Sequence, residues 1–270
     1  MDGRYPGDGL LETQDLMAQE GRRVVDTARR RGVVLRLLGG FAVHEHCGGK
    51  TACRRDHLDL DFAALSRQTR PVVEVFEELG YEERIHVRQA TRMMQAQFVR
   101  ECVHGGGGVP RAHGEDHVDV FFDRFKLDHS LDLRDRLAQH PYAVPLTDAL
   151  VTKLQMHAPE PRDVRDAMFL LAAGAEGGEA GDVDPTYVGR LCARDWGLFY
   201  DVALSLQRCV RALDEAGLGP EERDRVAGLL ARLTGALDAA PKTLAWRLRA
   251  GVGTRRRWWN VVEEQGRLTA

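Results

Sequence analysis

Apolar and polar residues alternate with period two in a few short stretches of this chain, and recur every three to four residues over most of the rest. Val33 to Leu38 reads as a short apolar strand that runs into Gly39-Gly40, and Phe41 to Cys47 then takes helical spacing. In Leu58-Asp59-Leu60-Asp61-Phe62 and in His117-Val118-Asp119-Val120-Phe121, acids fall on one strand face and apolar residues on the other. Residues 12–31 carry Leu16, Met17, Val24, Val25 and Ala28 among charges, which predicts an amphipathic helix. The spacing predicts another helix over 70–80, with Pro71 near its start and Gly80 at its end. Strands are expected around 81–88 and 92–100, then a flexible tip from His104 to Pro110, then the third acidic strand over 115–122. Past Pro145 the period is helical, with candidates at 147–157, 161–173, 184–194, 197–216, 220–239 and 242–250. A Gly/Ala-rich loop at 174–185 separates two helical groups. The expected architecture is α+β, with an α/β domain over 1–145 and an all-α domain over 146–270.

Composition narrows the class. The chain has 270 residues, 43% hydrophobic and 29% charged, which is an ordinary globular balance with room for a substantial core. A formal charge of −3 argues against wholesale coating of nucleic acid and leaves room only for a local basic patch. Cys47, Cys53, Cys102, Cys192 and Cys209 are odd in number and irregular in spacing, which fits reduced thiols better than a disulfide framework. No apolar run approaches the ~18 residues that span a bilayer, and Met1 to Gly9 lacks the charged-then-apolar order of a signal. The expectation is a cytoplasmic protein with no membrane segment.

The acids carry the chemistry. Residues two apart on a strand lie roughly 6.5 Å apart along it, so Asp59 and Asp61 point the same way. Joined by Asp119, they would repel one another unless a cation sat between them, and hard oxygen ligands suit Mg²⁺ completed by substrate phosphates. Asp123 shares the strand face of Asp119 and rivals it, but Asp123 opens a turn whereas Val118 and Val120 centre Asp119 in its strand. Glu115 and His117 lie on the same face and are candidates to orient the ligands. His44, His46, Cys47 and Cys53 match no zinc finger or ribbon spacing.

Lys153 lies in an amphipathic helix with Leu150, Val151 and Leu154, where periodicity alone makes it a solvated lysine. Arg162, Asp163 and Asp166 read either as a surface pair network of small energetic consequence or as partners that orient Lys153. Near the C-terminus, Lys242, Arg247, Arg249, Arg255, Arg256 and Arg257 precede Trp258 and Trp259. That pattern suits either a nucleic-acid grip through phosphate contacts and stacking, or a charged helix end whose tryptophans pack inward.

Gly39-Gly40, Asp59-x-Asp61 and Asp119 together resemble the signature of the nucleotidyltransferase superfamily typified by DNA polymerase β. Pro145 to Gln155 with its Lys153, followed by Arg162-Asp163, looks like the AbiEii-type pattern within that superfamily. Ala240 to Ala250 is similar to the same segment of actinobacterial relatives. Many relatives carry an Arg and a Ser or Thr just before the first Asp, whereas here the run is Arg54-Arg55-Asp56-His57-Leu58.

The resemblance implies a nucleotidyltransferase-fold mixed sheet with flanking helices, followed by helices alone. It implies transfer of a nucleoside monophosphate from an NTP, with Asp59, Asp61 and Asp119 holding two Mg²⁺ ions. Gly39, Gly40 and Arg55 become nucleotide-binding residues, and Lys153 a catalytic phosphate contact. The acceptor would be RNA, including tRNA, or a small molecule. A second reading keeps the fold without the transfer, as a nucleotide-binding regulatory or toxin–antitoxin partner.

Overall fold

The computed structural model describes residues 6–48, 59–101, 115–176 and 182–260. The chain is α+β, with one five-stranded mixed sheet, flanking helices and a helical second half. It divides into two compact units, one formed by residues 1–125 and 132–149, the other by 126–131 and 150–270.

The sheet unit begins with helix α1 (Pro6–Arg30), strand β1 (Leu35–Leu38) and helix α2 (Gly39–His46). Strand β2 (Leu60–Ala64), helix α3 (Thr69–Glu78), strand β3 (Glu82–Glu83) and helix α4 (Ile85–Ala90) follow. Strands β4 (Gln95–Glu101) and β5 (Glu115–Phe122) complete the sheet, in the spatial order β1-β2-β5-β4-β3. Only the β2–β5 pair is parallel; the other three pairs are antiparallel. Residues beyond the sheet return to its edge, where Leu37 N–H donates to Tyr142 O at 2.8 Å and Val144 N–H to Leu37 O at 2.9 Å.

Alternation decides which face is dry. Phe62, Ala96, Phe98, Val118, Val120 and Phe122 are buried, whereas Asp61, Gln95, Gln97, His117 and Asp119 on the other side are only half-buried. Helices α1 and α3 bring apolar stripes (Met17, Val24, Val25 and Ala28; Val72, Val75 and Phe76) to the core. Phe76 centres it, stacked on Phe98 at 4.2 Å and edge-on to Phe62 and Tyr81.

One stretch departs from expectation. The strand expected over 81–88 is only Glu82–Glu83, and helix α4 takes over from Ile85. Ile85 and Val87 alternate like strand residues, but Ile85 is exposed, so no buried face rewards an extended backbone there. Thr91 Oγ then donates to Val87 O at 2.9 Å and closes the short helix. The thiol expectation also fails in part: Cys47 is disulfide-bonded, while Cys192 and Cys209 are free and buried.

Short strands β6 (Arg124–Lys126) and β7 (Ser130–Asp132) and helix α5 (Leu146–Leu154) carry the chain between the units. The helical unit continues with α6 (Pro161–Glu176), α7 (Pro185–Cys192), α8 (Trp196–Ala212), α9 (Pro220–Ala239) and α10 (Leu244–Val252). Caps start these helices: Asp184, Asp195 and Thr243 accept from the first free N–H groups of α7, α8 and α10. Helix α9 packs against α6, α7 and α8 through Val226, Leu229, Leu230, Leu233 and Leu237. At Gly189 the backbones of α7 and α9 come so close that a Cβ would lie 2.5 Å from Ala236 O. Among the described residues no helix is long and apolar enough to cross a membrane.

Candidate active site

The half-buried face of the sheet gathers the predicted acids through strand register. Asp61 on β2 pairs with Asp119 on β5 as direct parallel neighbours. Neighbouring strands lie about 4.8 Å apart, and register partners of a parallel pair point to the same face. Asp59 is exposed, just ahead of β2 and two residues from Asp61. Its charge reaches Asp119 and adds to the rise of that carboxyl's pKa. Among the described residues no three His, Cys, Asp or Glu side chains stand already gathered as a metal-holding group. Asp61 and Asp119 offer hard-oxygen donors side by side on this face, with Asp59 two residues before Asp61.

Asp119 lies in a partly buried setting that shifts its carboxyl. Burial pushes its pKa up and Asp59 adds to that, while amide donors from Gln95 and Gln97 and the charge of His117 pull it back without cancelling the rise. Gln95 Nε2 donates to Asp119 Oδ1 at 3.0 Å, and Gln97 Nε2 donates to the same oxygen at 3.2 Å. These glutamines lay inside an expected strand without any sign of function, because the contact is made across strands.

The glycine turn sits against the same acids. Leu38, the last residue of β1, pairs with Asp61, and α2 starts at Gly39 immediately afterwards. Gly39 has φ +59°, a left-handed backbone, and the Asp61 carboxylate occupies the place a Cβ there would take. Glycine at this position therefore makes room for Asp61.

Asp123, the rival ligand, is engaged elsewhere. It adopts φ +61° and accepts from Ser66 N–H at 2.9 Å and from Ser66 Oγ at 2.6 Å, which pins the loop after β2. His46 is buried on Val144 O at 2.8 Å, and Cys47 is committed to a disulfide. Arg55 and Cys53 lie outside the described residues, as does the glycine-rich tip at 105–108.

Lys153 lies in the helical unit, and it is buried, not solvated. Its ammonium reaches Asp163 Oδ1 at 3.2 Å and Asp166 Oδ2 at 2.9 Å, both carboxylates being buried as well. Asp163 and Asp166 share one face of α6 because they are three residues apart. Of the two readings, the acids take the one that pairs them with Lys153 in the interior, while Arg162 is exposed and paired with Glu160.

A second polar cluster of the helical unit had no local signal. Asp201 is fully buried on α8 and is contacted by His129 Nε2 at 2.8 Å and His157 Nδ1 at 3.1 Å. Trp258 Nε1–H donates to Asp201 Oδ2 at 2.9 Å, and Trp259 stacks on His157 at 3.7 Å. Of the two readings of the C-terminal pattern, the tryptophans take the inward one. Arg247, Arg255, Arg256 and Arg257 are exposed.

No family model matches the sequence, and no curated protein does. Among solved structures, the antibiotic-resistance factor ANT(2'')-Ia is similar, at 11% identity and TM-score 0.36, over 75% of this chain and 96% of that one. An antigenic nucleotidyltransferase-like protein from Paracoccidioides brasiliensis is similar at 12% identity and TM-score 0.37, over 88% of this chain and 96% of that one. Likenesses this distant carry no inference about activity. They also do not single out the AbiEii branch.

Proposed function

We propose that this chain is a Mg²⁺-dependent nucleotidyltransferase, moving a nucleoside monophosphate from an NTP to a hydroxyl or phosphate of RNA or of a small molecule. The observation that carries the proposal is the pairing of Asp61 with Asp119 on adjacent parallel strands, against the left-handed turn at Gly39. Asp59, Asp61 and Asp119 would hold Mg²⁺, which supplies neutralisation of the charge that develops on the attacking and leaving oxygens. Asp59 and Asp61 anchor the triphosphate side of the site. Asp119 would complete the metal site nearest the acceptor hydroxyl and so favour its deprotonation.

Incubation with each α-labelled NTP, Mg²⁺ and either total RNA or a polar metabolite extract tests the reading. Label transferred to one acceptor class, and lost in Asp61→Asn, is the expected result; absence of transfer to any acceptor contradicts it. The competing reading is a nucleotide-binding regulatory or toxin–antitoxin partner with the same fold but no transfer activity. It predicts Mg²⁺-dependent NTP binding with no pyrophosphate released.

A further inference from the structure

We infer that Gln95 and Gln97 are positioning residues that clamp Asp119 in its ligating orientation through paired amide hydrogen bonds to a single oxygen. The inference rests on the metal role proposed above for Asp119. Gln97 is the direct cross-strand partner of Asp119 in the antiparallel β4–β5 pair, and Gln95 stands opposite Phe121, one diagonal step away. Both side chains leave β4 on the face opposite buried Ala96 and Phe98, so both reach Asp119 from the same side. Their Nε2 groups fall on Oδ1, at 3.0 and 3.2 Å, and neither takes Oδ2.

Two donors on one oxygen fix the carboxylate about its own axis. Oδ2 is left outside the two amide contacts. A glutamate at either position would set a second negative charge against Asp119, and an apolar residue would leave the carboxylate free to turn. Glutamine donates to an acid through its Nε2 without adding a negative charge of its own.

The turn ahead of Gln95 is built to keep it there. Thr91 Oγ, whose proton goes to Val87 O, accepts from Gln95 N–H at 3.1 Å and so holds the first residue of β4. Between them Arg92 and Met93 both hold left-handed conformations, φ +52° and +67°, unusual for two consecutive residues with side chains. Phe122 N–H donates to Met94 O at 2.9 Å and locks this turn onto β5. Such strain persists only where the surroundings over-determine it.

Mn²⁺ binding followed by electron paramagnetic resonance tests the clamp without relying on turnover. Gln95→Met/Gln97→Met keeps bulk and removes both donors, and its apparent Mn²⁺ affinity is expected to fall about 10- to 100-fold. Each single variant should fall less, because the remaining amide still holds Oδ1. Far-ultraviolet circular dichroism checks folding, and the single variants decide if the double variant unfolds. Wild-type affinity in folded variants lacking either donor overturns the inference and leaves the metal site intact. Wild-type protein that binds no Mn²⁺, or an Asp61→Asn variant that binds it equally well, removes the metal site and the clamp with it.

Discussion

The carboxylate of Asp61 fills the space that a side chain on Gly39 would need, and Gly39 holds the left-handed backbone that lets it do so. Gly39→Ala is therefore penalised twice, by about 1–3 kcal/mol for the backbone and further by displacing Asp61. Urea unfolding should show the stability loss, and pyrophosphate release should fall by roughly a hundredfold because the ligand proposed at Asp61 has been moved. A variant with native stability and turnover would separate the turn from the acid.

Lys153 gives a test that distinguishes a structural role from a phosphate contact. Its ammonium lies between Asp163 and Asp166 in a buried cluster. Lys153→Met leaves two buried acids without their cation and should cost about 3–5 kcal/mol in chemical unfolding. Lys153→Met/Asp163→Asn/Asp166→Asn should recover much of that loss. If the single variant unfolds like wild type and only the KM for NTP rises, the lysine acts on the substrate.

His46 makes stability depend on pH in a predictable direction. Burial pushes its pKa down to about 4, with the charge of His140 adding and the Val144 carbonyl opposing. Between pH 6.5 and 4 the unfolded chain takes up a proton that the folded chain refuses, so stability is lost as the pH falls through this window. The contribution of this residue has a slope of at most about 1.4 kcal/mol per pH unit. Urea melts at pH 7, 6 and 5 should show a steeper decline in wild type than in His46→Gln. Equal slopes would contradict the assignment.

The Asp201 cluster should hold the residues after α10 in place. Trp258→Phe keeps the ring and removes the N–H donor to a buried carboxylate, a loss of about 1.5–3 kcal/mol. Exposed Arg255, Arg256 and Arg257 lie just before it, so limited trypsin digestion should cleave there faster in the variant. Unchanged cleavage rates would show that packing of Trp258 against Trp196 and Tyr200 suffices.

Legibility followed the range of each interaction. The acidic strands showed in the sequence because period two is local: Asp61 and Asp119 each sit between residues that are buried in the sheet. Helices α3 and α9 showed through apolar spacing and a proline near the start. The short helix α4 did not, since Ile85 and Val87 carry a strand-like alternation that burial never uses. Lys153 looked solvated because its neutralising acids come from another helix, and spacing along α5 is silent about α6. Gln95 and Gln97 on Asp119, and His129, His157 and Trp258 on Asp201, are contacts between distant segments. No period or motif announces such contacts.

Calorimetric titration of ATP, GTP, CTP and UTP, each with and without Mg²⁺, into the native protein and into Asp59→Ala/Asp61→Ala is the most direct measurement. At least one nucleotide should bind the native chain only when Mg²⁺ is present, and that binding should vanish in the double variant. Nucleotide binding that ignores both the metal and the two aspartates, or no binding at all, would contradict a shared cation at Asp59, Asp61 and Asp119.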